Sequence, residues 1–483
     1  MTGQIRRTAV FVLILFGALF VNLNVIQLVR ADDLANHPSN RRLIIKEYES
    51  KRGPIVAGES AIAFSEATDD VLKYLRIYED PKLWAHVTGY YSFVLGRSGV
   101  EAAMNEALTG TSTEVLAQNL AELVGQRDEV GDTVQLTIDP RIQGTARQAL
   151  GDRVGAVVAL DPRSGAVLAH YSNPSFDPNR LSSHDASAIV SAWRELQNAD
   201  RDPLLNRVTR ALYPPGSTFK LITAAAALEE GISPETAFPD QERFDVPQTD
   251  NDIGNYGGGV CAGGETISLE DALRVSCNTV FARLGVQLGG DALIATAERF
   301  GFNRVPPYEL TPVKSQIPKE LNEPQAAQSA IGQFDVRATP LQMALVVQAI
   351  VNDGQLLRPH VVGEVLDPSG RTVRGPDRGV WSEGRFDGQV VSAQTAQILR
   401  ELMIEVVADG TGRAAQIADH TVGGKTGTAQ DPANDSATVW FVGFADDEVV
   451  VAVVLPDAGA GATGGGDAAP IARAVMEAAL GLR

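Results

Sequence analysis

The chain has 483 residues, 44% of them apolar and 21% charged, with 46 Gly and 25 Pro. At about 100–200 residues per domain that length holds two to four domains, and the mix excludes a disordered chain, a fibrous protein or a disulfide-dense miniature scaffold. Asp and Glu number 60 against 41 Lys and Arg, a net charge of -19 that repels phosphate backbones and argues against a nucleic-acid partner. Six His and two Cys, without a C-x-x-C or H-E-x-x-H pattern, provide no metal cage, and no metal or cofactor is expected.

Residues 8–29 carry no charge. At ~1.5 Å per residue such a helix crosses a bilayer core of ~30 Å. Arg6 and Arg7 precede it, which favours a cytoplasmic N-terminus and an extracytoplasmic remainder. The run is longer than a signal-peptide core of ~7–15 residues and lacks a small-residue cleavage site, so a retained single-pass anchor is expected. The organisation reads as a cytoplasmic tail (1–7), an anchor (8–29), a pedestal (30–140) and a larger C-terminal domain (141–483).

Along the pedestal, 31–50 reads as a juxtamembrane stalk, with helices predicted at 100–108 and 114–124 and no evident titratable cluster. Alternation over 133–138 predicts a strand, and a helix follows to 150. The apolar runs 155–160 and 166–170 flank Asp161-Pro162-Arg163-Ser164-Gly165, a hairpin pattern. Helices are predicted at 218–230, 269–284, 341–351 and 393–407, strands at 439–444 and 449–455, and a closing helix at 467–480. Strands at both ends with helices between them imply one sheet built from distant segments and a helical lobe inserted in it.

Three motifs carry chemistry. In Tyr213-Pro214-Pro215-Gly216-Ser217-Thr218-Phe219-Lys220 the prolines block helix before Ser217. Ser217 therefore opens a helix, where free N–H groups favour negative charge, and Lys220 sits one turn on. A lysine held neutral by burial or a positive neighbour can activate a serine hydroxyl. Ser276-Cys277-Asn278 lies within the predicted 269–284 helix, after a glycine-rich loop at 254–264. Gly424-Lys425-Thr426-Gly427-Thr428 precedes the 439–444 strand and reads as an edge strand whose Lys425 and Thr426 meet an anionic group. Each has a bland alternative: a chance pair on a helix face, a local side-chain-to-backbone bond, a glycine turn with a surface lysine. Cys261 and Cys277, 16 residues apart, are candidates for a disulfide in an oxidising compartment; two buried thiols are the alternative.

The three motifs in this order, about 60 and 150 residues apart, are far more specific than any one. Ser-x-x-Lys, Ser-Asp-Asn and Lys-Thr-Gly together characterise class A β-lactamases and penicillin-binding proteins; Cys277 stands here in the middle of the second, where polar or acidic residues are familiar. The chain resembles the class B penicillin-binding proteins, membrane-anchored peptidoglycan DD-transpeptidases, and especially their actinobacterial cell-division branch. Gly332-Gln333, Ala338 to Met343, Gly410-Thr411-Gly412 and Trp440 to Phe444 extend the likeness, and Arg52-Gly53-Pro54-Ile55 resembles a pedestal box. Beyond Leu455 the likeness is not traceable.

The resemblance implies an α+β transpeptidase fold, an antiparallel sheet plus a helical lobe, on an N-terminal pedestal. It implies that Ser217 attacks the penultimate D-Ala carbonyl of a peptidoglycan stem peptide and that Lys220 takes its proton. Ser276 would relay a proton to the leaving amine, and Asn278 would hold Lys220 and the substrate amide. Lys425, Thr426 and Thr428 would bind the terminal carboxylate, and the backbone N–H groups of Ser217 and Thr428 would form the oxyanion hole. β-Lactams would acylate Ser217, and a SEDS-type membrane glycosyltransferase is the implied partner. A disulfide at Cys277 would pin the loop of Ser276 and Asn278. A β-lactamase or DD-carboxypeptidase shares the trio, but Asp202-x-x-Leu205-Asn206 is the nearest approach to a deacylating E-x-x-L-N loop and falls before Ser217. A β-lactam sensor or silent scaffold is a third alternative.

Overall fold

The computed structural model describes residues 2–25, 47–111, 130–383, 387–431, 436–459 and 461–482. Most of the predicted stalk and the predicted 114–124 helix lie outside these. Thr2–Asn24 is one helix, exposed from Gly3 to Leu23. Its most apolar 18-residue window has a mean hydropathy of 1.8, long and apolar enough to cross a membrane.

Two sheets organise the rest. The catalytic sheet has five antiparallel strands in the order Val422–Asp431, Ser436–Ala445, Val449–Leu455, Gly155–Leu160, Val167–Asn173. Every residue of Val449–Leu455 and of Gly155–Leu160 is buried, because helices cover both faces, and such strands read as unbroken apolar runs. Pro340–Val351 and Ala469–Ala479 both pack on Val449–Leu455. The sheet thus joins segments some 250 residues apart, and the intervening chain supplies the helical lobe. Val422–Asp431 is an edge strand, with Lys425 paired to Val442 and Gly427 to Trp440.

The second sheet has six strands in the order Thr372–Arg374, Val362–Leu366, Thr133–Leu136, Ile55–Ala57, Ser60–Ala67, Tyr74–Tyr78. Two of them come from the C-terminal half, so the 362–374 hairpin ties the N-terminal sheet to the catalytic domain. The predicted helix at 100–108 is two short helices, Gly99–Ala103 and Asn105–Thr109, separated by Met104. A titratable cluster, not evident in the sequence, is assembled here. Glu101, 0% exposed, accepts Arg52 Nε at 2.6 Å and Arg76 Nε at 2.7 Å, and Tyr78 Oη donates to it at 3.2 Å. Arg52 Nη1 also donates to Asn105 Oδ1 at 2.8 Å and Arg76 Nη1 to Gly53 O at 2.8 Å. The burial of these ions is offset by paired charges and hydrogen bonds, although Arg76 Nη2 is buried without a partner.

Candidate active site

Ser217 lies in a short 3-10 turn, Gly216–Phe219, that runs directly into the α-helix Lys220–Glu229. The turn is fastened to the sheet on several sides. Tyr213 exchanges backbone hydrogen bonds with Ala338, Gly216 N donates to Gly332 O at 3.0 Å, and Trp440 Nε1 donates to Pro214 O at 2.9 Å. Close approach requires glycine at two places. A Cβ on Gly332, whose φ is +72°, would lie 2.0 Å from Gly216 O, and one on Gly427 would lie 2.8 Å from Pro215 O. The edge strand therefore rests directly against the serine turn.

The second motif corrects the predicted helix at 269–284. The structure has Leu269–Arg274 and Asn278–Arg299 with a break between them, and Ser276 stands at φ +63°. A left-handed conformation costs a non-glycine residue about 1–3 kcal/mol and persists only where surroundings enforce it. The break turns both oxygens of Ser276 toward the lysines. Lys220 Nζ donates to Ser276 O at 2.7 Å, to Asn278 Oδ1 at 2.7 Å and lies 3.3 Å from Ser276 Oγ. Lys425 Nζ donates to the same Oγ at 2.8 Å and to Thr426 O at 3.1 Å.

Both lysines are 0% exposed. Burial, and then the nearby Lys425 charge, hold the Lys220 amine well below the ordinary lysine range. Burial alone pushes Lys425 down to about 7. Two full charges converging on one hydroxyl would repel by about 3 kcal/mol at an effective dielectric of ~20, so the pair favours one ammonium and one neutral amine. A neutral Lys220 spends its two N–H groups on acceptor-only atoms, Ser276 O and Asn278 Oδ1, and keeps its lone pair for a hydroxyl proton. That is the state a base requires.

Ser217, Ser276, Asn278, Thr426 and Thr428 line one cleft of about 420 Å³. Thr411 joins them through a 2.7 Å contact between its Oγ1 and that of Thr426. Thr463, Gly464 and Gly465, from the stretch beyond Leu455, also line it; Gly464 N donates to Thr428 Oγ1 at 3.4 Å. Cys261 and Cys277 are joined in a disulfide, with Cα atoms 5.8 Å apart. Asp240 lies beside them, but its carboxylate accepts the N–H groups of Cys261, Ala262 and Gly263 and the sulfurs are bonded to each other, so this group offers no metal site. Sequence reasoning passed over Asp240, Thr463 and Asn255, a loop residue that also faces the cleft. The glycine runs at 257–259 and 464–466 were the available signal.

A serine on a helix-opening turn, a buried lysine one turn on, a second serine shared by two lysines, and an edge strand closing the groove define a penicillin-binding serine acyltransferase site. Comparison with known proteins agrees. The family model described as penicillin binding protein transpeptidase domain matches residues 155–477, and that described as penicillin binding protein A dimerisation domain matches 52–134. The chain belongs to the penicillin-binding protein transpeptidase family. It is 39% identical to peptidoglycan D,D-transpeptidase PbpA of Mycolicibacterium smegmatis, over 99% of each chain, and 38% identical to the protein of that name from Mycobacterium tuberculosis, again over 99% of each. Among solved structures, the ceftriaxone acyl-enzyme of penicillin-binding protein A from M. tuberculosis matches with a TM-score of 0.85 at 36% identity, covering 90% of this chain and 100% of that one. The penicillin G acyl-enzyme matches at 0.83 and 37%, covering 89% and 100%.

Proposed function

We propose that the chain is a serine-type peptidoglycan D,D-transpeptidase in which Ser217 is the nucleophile and Lys220 its base. The supporting observation is the placement of the buried Lys220 amine against Ser276 and Asn278, which line the same cleft as Ser217. Ser217 Oγ attacks the carbonyl of the penultimate D-Ala of a stem peptide, and its proton passes to the Lys220 lone pair. The N–H groups of Ser217 and Thr428 receive the developing oxyanion; each such donor contributes about 3–4 kcal/mol to the transition state. Thr426 and Thr428 bind the terminal carboxylate beside the Lys425 charge. The tetrahedral intermediate collapses by breaking the amide bond, and the Lys220 proton reaches the leaving D-Ala nitrogen by way of Ser276 Oγ. An amine from a second stem peptide then attacks the ester carbonyl, the bond to Ser217 Oγ breaks, and the amine's proton passes along the same route to Lys220 and back to Ser217 Oγ, leaving a crosslink. A β-lactam enters as a mimic of the D-Ala-D-Ala end and leaves Ser217 acylated.

Residues 1–7 are then a cytoplasmic tail, 8–29 the anchor, 30–140 the pedestal and 141–483 the transpeptidase domain, with the 362–374 hairpin reaching back to the pedestal sheet. Arg6 and Arg7 before the apolar helix favour a catalytic domain outside the cytoplasm. The partner this reading calls for is a membrane glycosyltransferase of the SEDS type, which would polymerise the glycan whose stem peptides are crosslinked. The test is covalent labelling by fluorescent penicillin, which Ser217→Ala should abolish; residual stoichiometric labelling would refute the assignment. Dimeric muropeptides formed from lipid-linked glycan with a partner polymerase distinguish a transpeptidase from a carboxypeptidase, which yields trimmed monomers only.

A further inference from the structure

The N-terminus of the Asn278–Arg299 helix has no cap of its own: the residue before it is Cys277, whose side chain makes no capping bond. The cap comes from 23 residues upstream. Asn255 Oδ1 accepts the N–H of Asn278 at 3.0 Å and of Thr279 at 3.1 Å. Its Nδ2 donates to Gln241 O and Gly259 O, each at 3.0 Å, which orients the carboxamide from behind. Asn278 is thereby held three ways: its N–H by Asn255, its Nδ2 by Gly254 O at 3.0 Å, and its Oδ1 on Lys220 Nζ at 2.7 Å. The loop carrying Asn255 is anchored again at its far end by the Cys261–Cys277 disulfide and the Asp240 carboxylate.

We propose that Asn255 is a positioning residue for the Lys220 amine, acting through Asn278 as an uncharged helix cap delivered from a distant loop. The inference rests on Lys220 being the base. Asp and Asn cap helices about equally well, so capping by itself does not select between them; the donors to Gln241 O and Gly259 O favour the carboxamide, and the surroundings of Lys220 add a second reason. The charged group acting on its amine is Lys425, on the edge strand. The other groups facing it are uncharged: Ser276, Asn278 and the Phe281 ring, 5.5 Å from Nζ. A carboxylate at position 255 would stand two hydrogen bonds from Nζ and stabilise the ammonium, the form that cannot act as a base. A neutral carboxamide holds Asn278 without that cost.

The experiment measures acylation of the full chain in detergent by a fluorescent penicillin, as a rate constant against pH, with melting temperature alongside. Asn255→Asp should melt below the wild type, because a carboxylate oxygen would face Gln241 O and Gly259 O, and should move the acid limb of the profile to higher pH by about one unit or more. Asn255→Ala should lower the rate constant about fivefold, the loss of one cap, without an alkaline shift. A double-mutant cycle covers poor folding of the Asp variant: in an Asn278→Ala background Asn255→Ala should cost nothing further. An unmoved profile in the Asp variant, or fully additive losses in the cycle, overturns the proposal. A wild type that penicillin does not label, or a Ser217→Ala variant that it does, would instead overturn the functional reading on which this rests.

Discussion

Replacing Lys425 by methionine should stabilise the protein while disabling it. The amine is 0% exposed and its proton affinity falls from the ordinary 10.5 to about 7 through burial. In the unfolded chain the same lysine keeps its proton up to about 10.4. Between those limits the unfolded state binds more protons than the native state, so stability rises with pH, by up to ~1.4 kcal/mol per pH unit for one lysine. Below about 7 both states are protonated and the contribution is flat at its most unfavourable. At pH 7 the penalty is on the order of 4–5 kcal/mol, the free energy of a fall in proton affinity of this size. Lys425→Met removes the penalty and retains most of the packing volume, although it forfeits the bonds to Ser276 Oγ and Thr426 O. The expected result in thermal unfolding is a melting temperature at pH 7 raised by about 5 °C or more, and a markedly smaller rise between pH 7 and 9 than in the wild type. Part of the rise persists, because Lys220 is also held below its ordinary range. Penicillin acylation should fall about 100-fold, the loss of one charge-assisted contact. A variant that melts lower than the wild type at pH 7, or that keeps the full pH slope, would refute the idea that this amine is buried at a cost for the sake of its chemistry.

Glu101→Gln should leave Arg76 buried without a counter-charge and Arg52 with Glu47 at 3.6 Å as its remaining one, and destabilise the N-terminal sheet by about 3–5 kcal/mol; calorimetry should record an early transition while labelling of Ser217 persists at lower temperature. Gly332→Ala sets a Cβ 2.0 Å from Gly216 O at a φ of +72°, and should slow acylation at least ~10-fold by shifting the serine turn, since an angstrom of misplacement costs about 100-fold; an unchanged rate would show that the turn is not held there. Reducing the Cys261–Cys277 bond opens a 16-residue loop that contributes about 3 kcal/mol; reductant should lower the melting temperature of the wild type and leave that of a Cys261→Ser, Cys277→Ser double variant unmoved.

Much of this protein was legible along the chain. Two prolines before Ser217 and helix formers after it dictate a turn into a helix, and the structure has Gly216–Phe219 followed by Lys220–Glu229. The 155–173 hairpin, the apolar strands at 436–455 and the N-terminal anchor helix follow from apolar runs and turn residues that act within a few positions of one another. The order of the three motifs carried the family. What the sequence could not disclose depends on groups that meet only after folding. Residues 269–284 have unbroken helical periodicity, yet the chain breaks at Ser276, because a disulfide to Cys261 and a cap from Asn255 hold a left-handed residue there. Glu101 reads as an ordinary surface glutamate until Arg52 and Arg76, 49 and 25 positions away, close on it. The lowered proton affinities of Lys220 and Lys425 are likewise products of burial, on elements that meet only in the folded chain. Local preference amounts to a few tenths of a kcal/mol per residue, whereas long-range tethers and buried charges act with several, and at the catalytic groove the long-range terms prevail.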